Sequence, residues 1–145
     1  MITLSEAMQT ISTNWNNKLV ELTPGVYRLD VGLKLKDETI RYQFVYVWQV
    51  KNQNGRDHVF MNSRAGMYNN NLNLYQLLKD SGSGYYSTIT IVPDKNAEGN
   101  PCETVVVQAS PYLDSLSVEL LGDIIFEVAN EADWLEEKHF GGDNN

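Results

Sequence analysis

Between Thr23-Pro24-Gly25 and Asn52-Gln53-Asn54-Gly55 the chain holds two long runs of alternating residues, and these constrain its fold more than any other stretch. In the first run Tyr27, Leu29, Val31, Leu33 and Leu35 alternate with Arg28, Asp30, Gly32 and Lys34. A period of two puts every second side chain on one side of an extended chain, so the run reads as a half-buried strand. Lys36-Asp37-Glu38 makes the turn. In the second run Ile40, Tyr42, Phe44, Tyr46, Trp48 and Val50 share one face. That row of large side chains is expected in the core. Val45 and Val47 break the polarity of the other face, so the middle of the strand is expected to be covered on both sides. If the ring-bearing face is uncovered instead, it is a broad adhesive surface for a peptide or a second subunit, with Tyr42, Tyr46 and Trp48 among its contacts. Asn54-Gly55 favours the positive φ of a hairpin turn. Residues 57–64 then form a third strand, completing an antiparallel meander.

Helical spacing appears three times. Thr3-Leu4-Ser5-Glu6 fits a capping box, and Leu4, Met8, Ile11 and Trp15 follow as one face of a helix over about 4–15. Leu74, Leu77 and Leu78, with Tyr75 beside them, give a short helix ending near Asp80, where Gly82 and Gly84 stop it. Ser117 caps the last helix, and Leu116 can staple onto Leu121. Its stripe is Leu121, Ile124, Ile125, Val128, Ala132 and Leu135, and Gly141-Gly142 ends it. Residues 86–92 and 104–109 read as the fourth and fifth strands, joined by a polar loop from Pro93 to Pro101. The order α-β-β-β-α-β-β-α implies an α+β fold, a five-stranded antiparallel sheet with the terminal helices packed on it. One domain is expected over 1–145, with 141–145 as a disordered tail.

Charge and chemistry exclude several classes of function. The 145 residues carry 19 acidic and 11 basic side chains, a net charge of −8, and the basic ones are scattered singly. Phosphate binding needs clustered cations, so no nucleic-acid partner is expected. The start lacks the basic and apolar regions of a signal peptide, and no apolar stretch approaches the ~20 residues of a membrane span. No membrane partner and a cytoplasmic location follow as expectations. A single cysteine, Cys102, excludes an internal disulfide, and its neighbour Glu103 has the wrong charge to activate it. His58 reads as a surface strand residue. His139, with Lys138, reads as a helix-end cation suited to the dipole. Neither completes a metal-ligand spacing, and no nucleotide or nucleophile fingerprint occurs, so no cofactor and no enzymatic activity are expected. Gly82-Ser83-Gly84 is too short to cradle a phosphate. The seven carboxylates Glu119, Asp123, Glu127, Glu131, Asp133, Glu136 and Glu137 read as the solvated face of the last helix.

Two features stand out as candidate partner contacts. At 100° per residue, Phe126 and Trp134 lie about 80° apart, opposite the buried stripe of the last helix. Three covers are open to them: the first helix through Trp15, a homodimer contact, or a partner segment. Arg64, where the third strand ends, can grip a partner carboxylate in a forked contact or stand as an ordinary surface arginine.

Leu72 to Leu78, then Gly84-Tyr85-Tyr86, Val105-Val106-Val107-Gln108-Ala109-Ser110 and Leu113-Asp114-Ser115-Leu116 before a long acidic helix together resemble the YbjN-like bacterial proteins. The likeness is best over about residues 57–139. That family shares its fold with the class I chaperones of type III secretion. The resemblance implies a small cytoplasmic protein-binding module, often dimeric and without a cofactor, and offers no catalytic residue to carry over. The functional expectation is a chaperone-like module that buries an apolar segment of a client, its acidic rim selecting basic-amphipathic clients. The alternative is a dedicated regulator or adaptor that binds one cognate partner, of the signalling or immunity type.

Overall fold

Thr23-Pro24-Gly25 does turn the chain, but it turns it out of a strand that the sequence pattern conceals. The computed structural model describes residues 2–141. It runs α1 (Leu4–Trp15), β1 (Leu19–Thr23), β2 (Val26–Lys34), β3 (Ile40–Lys51), β4 (Asp57–Met67), α2 (Leu74–Asp80), β5 (Thr88–Lys95), β6 (Pro101–Ala109) and α3 (Val118–His139). The sheet therefore has six antiparallel strands, not five, in the order β1-β2-β3-β4-β6-β5. The added strand, β1, has no fully buried residue and only five positions, too few to show a period. It is held by its pairing with β2, from Leu19 opposite Leu29 to Thr23 opposite Val26. Gly25 at φ +81° closes that hairpin, a conformation a Cβ would strain.

The helices cover one face of the sheet. Ser117 Oγ accepts the Leu120 amide at 3.0 Å and starts α3. The α3 stripe from Leu121 to Leu135 is fully buried, as its spacing implies. It packs on Val45, Val47, Val59, Met61, Val105 and Val107, which point inward from β3, β4 and β6. Each such side chain contributes about 1.5–3 kcal/mol relative to exposure. α1 packs against α3 and β1. Its Thr3 hydroxyl accepts the Glu6 amide at 3.2 Å and donates to the Glu6 carboxylate at 2.8 Å.

β4 runs three residues past its expected end because of a bulge at Ala65, where the register to β6 shifts. The bulge turns Gly66 to the inner side, and the Phe140 ring at the end of α3 lies against its bare backbone. A Cβ at Gly66 would overlap that ring. The short helix α2 differs from its expected stripe: only Leu77 is buried, while Leu74, Tyr75 and Leu78 are exposed. Among the described residues, no helix is long and apolar enough to cross a membrane. Of the expected tail, Gly141 ends α3 at φ +77°, and the rest lies outside the described residues.

Candidate functional site: the outer face of the sheet

The sequence pattern of β3 groups its residues correctly, but the expected core face is the open one. Gln43, Val45 and Val47 point inward and are buried, the two valines completely. Tyr42 is 54% exposed and Phe44 42% exposed, Ile40 and Val50 are exposed too, and Tyr46 and Trp48 are half-buried. Among the described residues, no helix lies over this face. α3 needs a smooth apolar floor, which short β-branched side chains supply, and it takes the valine side. The rings, large enough to shield one another, are left outward. Trp48 stacks on Phe60 of β4, with ring centroids 6.0 Å apart.

The charges on this face are neutralised within it. Arg28 on β2 binds Asp30 two residues on at 2.8 Å, and its guanidinium lies 4.6 Å from the Phe44 ring centre. Arg64 on β4 forks onto Asp94 of β5 at 3.0 and 3.3 Å and reaches the Tyr46 hydroxyl at 3.3 Å. Its forked contact is thus made within the chain. Thr104 Oγ1 also donates to Asp94, at 2.8 Å. Burial works to raise the Asp94 carboxyl, but the Lys95 amide, Thr104 and Arg64 outweigh it and hold it below its ordinary value.

The β2–β3 hairpin projects from the sheet with both flanks unpaired. β1 stops at Leu19 opposite Leu29, after which only Lys18 O takes the Asp30 amide, at 2.9 Å. β4 pairs with β3 only from Tyr46 opposite Asn62 onward. Where β3 and β4 part, Gln43 spans the gap, donating to Ser63 Oγ at 3.0 Å and to the Arg64 carbonyl at 2.9 Å. Ser63 Oγ in turn donates to the Phe44 carbonyl at 2.7 Å. Each gap is a recess. One of about 670 Å³ lies between Trp15, Phe126, Ile40 and Tyr42. The other, of about 650 Å³, lies between Tyr42, Phe44, Arg64 and Asp94, with Cys102 on its wall. Tyr42 lines both. The hairpin is fixed from below by Arg41, whose guanidinium forks onto Asp133 of α3 at 2.8 and 2.7 Å. That pairing raises the Arg41 pKa and keeps the guanidinium charged.

The other two candidate contacts are on α3. Phe126 meets Trp15 edge-on at 6.4 Å, so the first helix supplies part of its cover. Trp134 carries the Lys138 ammonium 5.0 Å from its ring centre. Both remain partly exposed: Phe126 forms a wall of the first recess together with Ile40 and Tyr42, whereas Trp134 lies beside Lys34 and Arg41 and lines neither outer-face recess.

The seven α3 carboxylates are not one solvated face. Asp133 and Glu136 are buried, Glu136 to 2% exposure. Glu127 accepts the amides of Tyr85, Tyr86 and Ser87 at 3.2, 2.8 and 2.7 Å, tying the segment after α2 to α3. Burial works against the Glu127 charge, yet these amides hold its carboxyl below its ordinary value. Glu131, one turn on, has a buried Oε1 without a hydrogen-bond partner, and burial with the nearby Glu127 charge raises its pKa. His139 is likewise more than a dipole partner: its Nε2 meets Asp80 of α2 at 2.7 Å, beside Lys138 at 3.0 Å. His58 is wedged between Phe60 and Tyr112, with Nδ1 2.9 Å from the Ser110 carbonyl and Nε2 3.1 Å from Asn52 Nδ2.

Sequence reasoning missed Arg28, Asp30, Gln43, Asp94 and Thr104 as parts of this surface. Arg28 and Asp30 carried a signal, since two residues apart on a strand is one face. Asp94 and Thr104 carried none, because they meet Arg64 only through the order in which β4, β6 and β5 assemble. No family model matches the chain, and neither a curated protein nor a solved structure does.

Proposed function

We propose that this chain is a non-enzymatic protein-binding module that buries an apolar segment of a partner protein on the outer face of its sheet. The observation that carries the reading is the uncovered row from Ile40 to Val50 on β3. Contiguous apolar surface rimmed by polar groups marks interaction sites on folded chains. The two recesses beside the hairpin give a bound segment somewhere to anchor side chains. The ionisable groups support the non-enzymatic half: Asp94, Asp133 and Glu127 are each held by an arginine or by backbone amides in structural roles. The resemblance to YbjN-like proteins and to secretion chaperones favours the same reading, in the cytoplasm and without a cofactor.

The paired charges of the outer face refine the partner's chemistry. Among the described residues of this face the carboxylates Asp30, Glu38 and Asp94 are paired with Arg28, Lys34 and Arg64, so the docking side of the partner is apolar and uncharged. The test is affinity capture from lysate of the source cells, read by mass spectrometry. The wild-type chain, Phe44→Arg, and a Phe126→Ala/Trp134→Ala double variant are compared. A partner retained by the double variant and lost by Phe44→Arg supports the outer face. A partner lost only by the double variant moves the site to α3. One stoichiometric partner, rather than several related ones, would mark a dedicated adaptor.

A further inference from the structure

We infer that the recess between Trp15, Tyr42 and Phe126 is a binding site for a small organic cation, an ammonium compound carrying alkyl groups. This goes beyond the protein-binding reading, which rests on the β3 row and stands or falls by its own test. The recess is built from separate elements. Trp15 comes from the end of α1, Phe126 from the exposed side of α3 and Tyr42 from β3. Two bare glycines shape it. Gly122 lets the Trp15 indole lie against α3, for a Cβ there would stand 3.2 Å from Trp15 Cζ2. Gly32 of β2, opposite Tyr42 in the register, leaves the floor open. A Cβ at Gly32 would fill that space, 3.3 Å from Ile40 Cγ2 and 3.4 Å from Tyr42 Cε1. The rim beyond α1 is fixed as well. The Asn16 amide donates to the Thr13 carbonyl at 3.2 Å, and Ser12 Oγ donates to the Asn17 carbonyl at 2.6 Å. The volume of about 670 Å³ falls within the ~300–1,000 Å³ of small-molecule sites.

The chemistry of the walls selects the ligand. Aromatic faces are electron-rich and attract a cation placed over them. Trp15 and Phe126 meet with their planes 87° apart and form a corner, and Tyr42 supplies a third ring from the sheet side. Asp123, almost one turn before Phe126 on α3, adds a carboxylate to the recess. Among the described residues it has no hydrogen-bond or ion-pair partner. Asp30, Asp94, Asp133 and Glu127, by contrast, are each held within the chain. Lys34, the cation that also borders the recess, is bound by Glu38 at 2.6 Å. The unbalanced charge is therefore negative, which disfavours an anion. A neutral apolar molecule would cover the Asp123 carboxylate without pairing it. A bare ammonium is strongly hydrated and wants an oxygen acceptor for each of its protons, where the recess offers chiefly rings. An ammonium sheathed in methyl groups matches both, charge for Asp123 and apolar surface for the rings. The net charge of −8 raises the local concentration of any such cation.

The test is a titration with choline followed by heteronuclear NMR, on wild type, Asp123→Asn, Phe126→Ala and Tyr42→Ala. All three positions are exposed, so the fold tolerates the changes, and the dispersion of the spectra checks it. Sodium chloride at equal ionic strength is the reference for screening. The neutral isostere of choline, with carbon in place of nitrogen, is the reference for apolar contact. The expected result is a saturable shift at the Trp15 indole N–H and the Gly32 amide with choline alone. Phe126→Ala and Tyr42→Ala each weaken binding by about tenfold, and Asp123→Asn weakens it severalfold. No saturable shift at Trp15 and Gly32 overturns the inference. Equal binding of the neutral isostere overturns it too, because the recess is then merely apolar. So does an Asp123→Asn variant that binds choline as wild type does. Shifts confined to Arg64 and Cys102 overturn it by moving the ligand to the other recess. The protein-binding reading keeps its own test in the Phe44→Arg variant, whose position does not border this recess.

Discussion

The two faces of β3 are made of the same strand, one residue out of step, and they meet opposite surroundings. Inward, Val45 and Val47 have no exposure and sit under α3. Outward, Tyr42 and Phe44 are about half exposed and are flanked by arginines lying over or beside their row. The larger apolar side chains are on the wetter side. Hydrophobic area alone would put the rings inside. What decides is the fit to a 22-residue helix, whose Leu and Ile side chains interlock with a floor of valines. A strand apolar on both sides, with one side uncovered, leaves the exposed apolar row on which the proposed binding function rests.

The contrast can be broken first where it is strongest. Val45→Asp places a carboxylate without a partner beneath α3, at a cost of several kcal/mol, a large share of the ~5–15 kcal/mol of a typical domain. The expected outcome is loss of the cooperative thermal transition in calorimetry. Gly66→Ala tests the seating of α3 on the same inner side. Its Cβ meets the Phe140 ring, and a loss of about 1–3 kcal/mol is expected in urea denaturation. Asp80→Asn sharpens the account of how α2 is held to α3. Lys138 above all, with Gln76 and His139, holds the Asp80 carboxyl at about 2, against an ordinary 3.8. A depressed carboxyl stabilises the fold above 3.8 and loses that contribution as the pH falls through about 2. The variant should therefore melt lower than wild type at neutral pH, and the two curves should converge near pH 2. The smallest effect is expected at Phe44→Asp, measured at a concentration where the chain is monomeric. Its cost should be about 1 kcal/mol or less. A loss of several kcal/mol there would mean that the ring row is covered after all.

The strands β2 and β3 were legible because alternation over nine and twelve residues leaves little choice of period. Which group of side chains faces the helices was not, since alternation sorts residues into two sets and says nothing of what lies above each. β1 escaped because Leu19 to Thr23 is an edge strand held by pairing, not by burial. The α3 stripe was legible in full, yet the roles of its carboxylates were not. Asp133 and Glu127 are bound by Arg41, 92 residues away in sequence, and by the 85–87 amides, 40 to 42 residues away. The candidate residues divide in the same way. Tyr42, Tyr46 and Trp48 could be named from their row, whereas the Arg64–Asp94 pair exists only because β6 lies between β4 and β5.

The most direct test of the central claim, that protein contacts run across the outer row of β3, is site-specific photo-crosslinking. A benzophenone side chain is placed at position 44 in one variant and at position 134, which lines neither recess, in another, and both are irradiated in native lysate. The account predicts discrete protein adducts from position 44 and few from position 134. Adducts confined to position 134, with none from position 44, would contradict it.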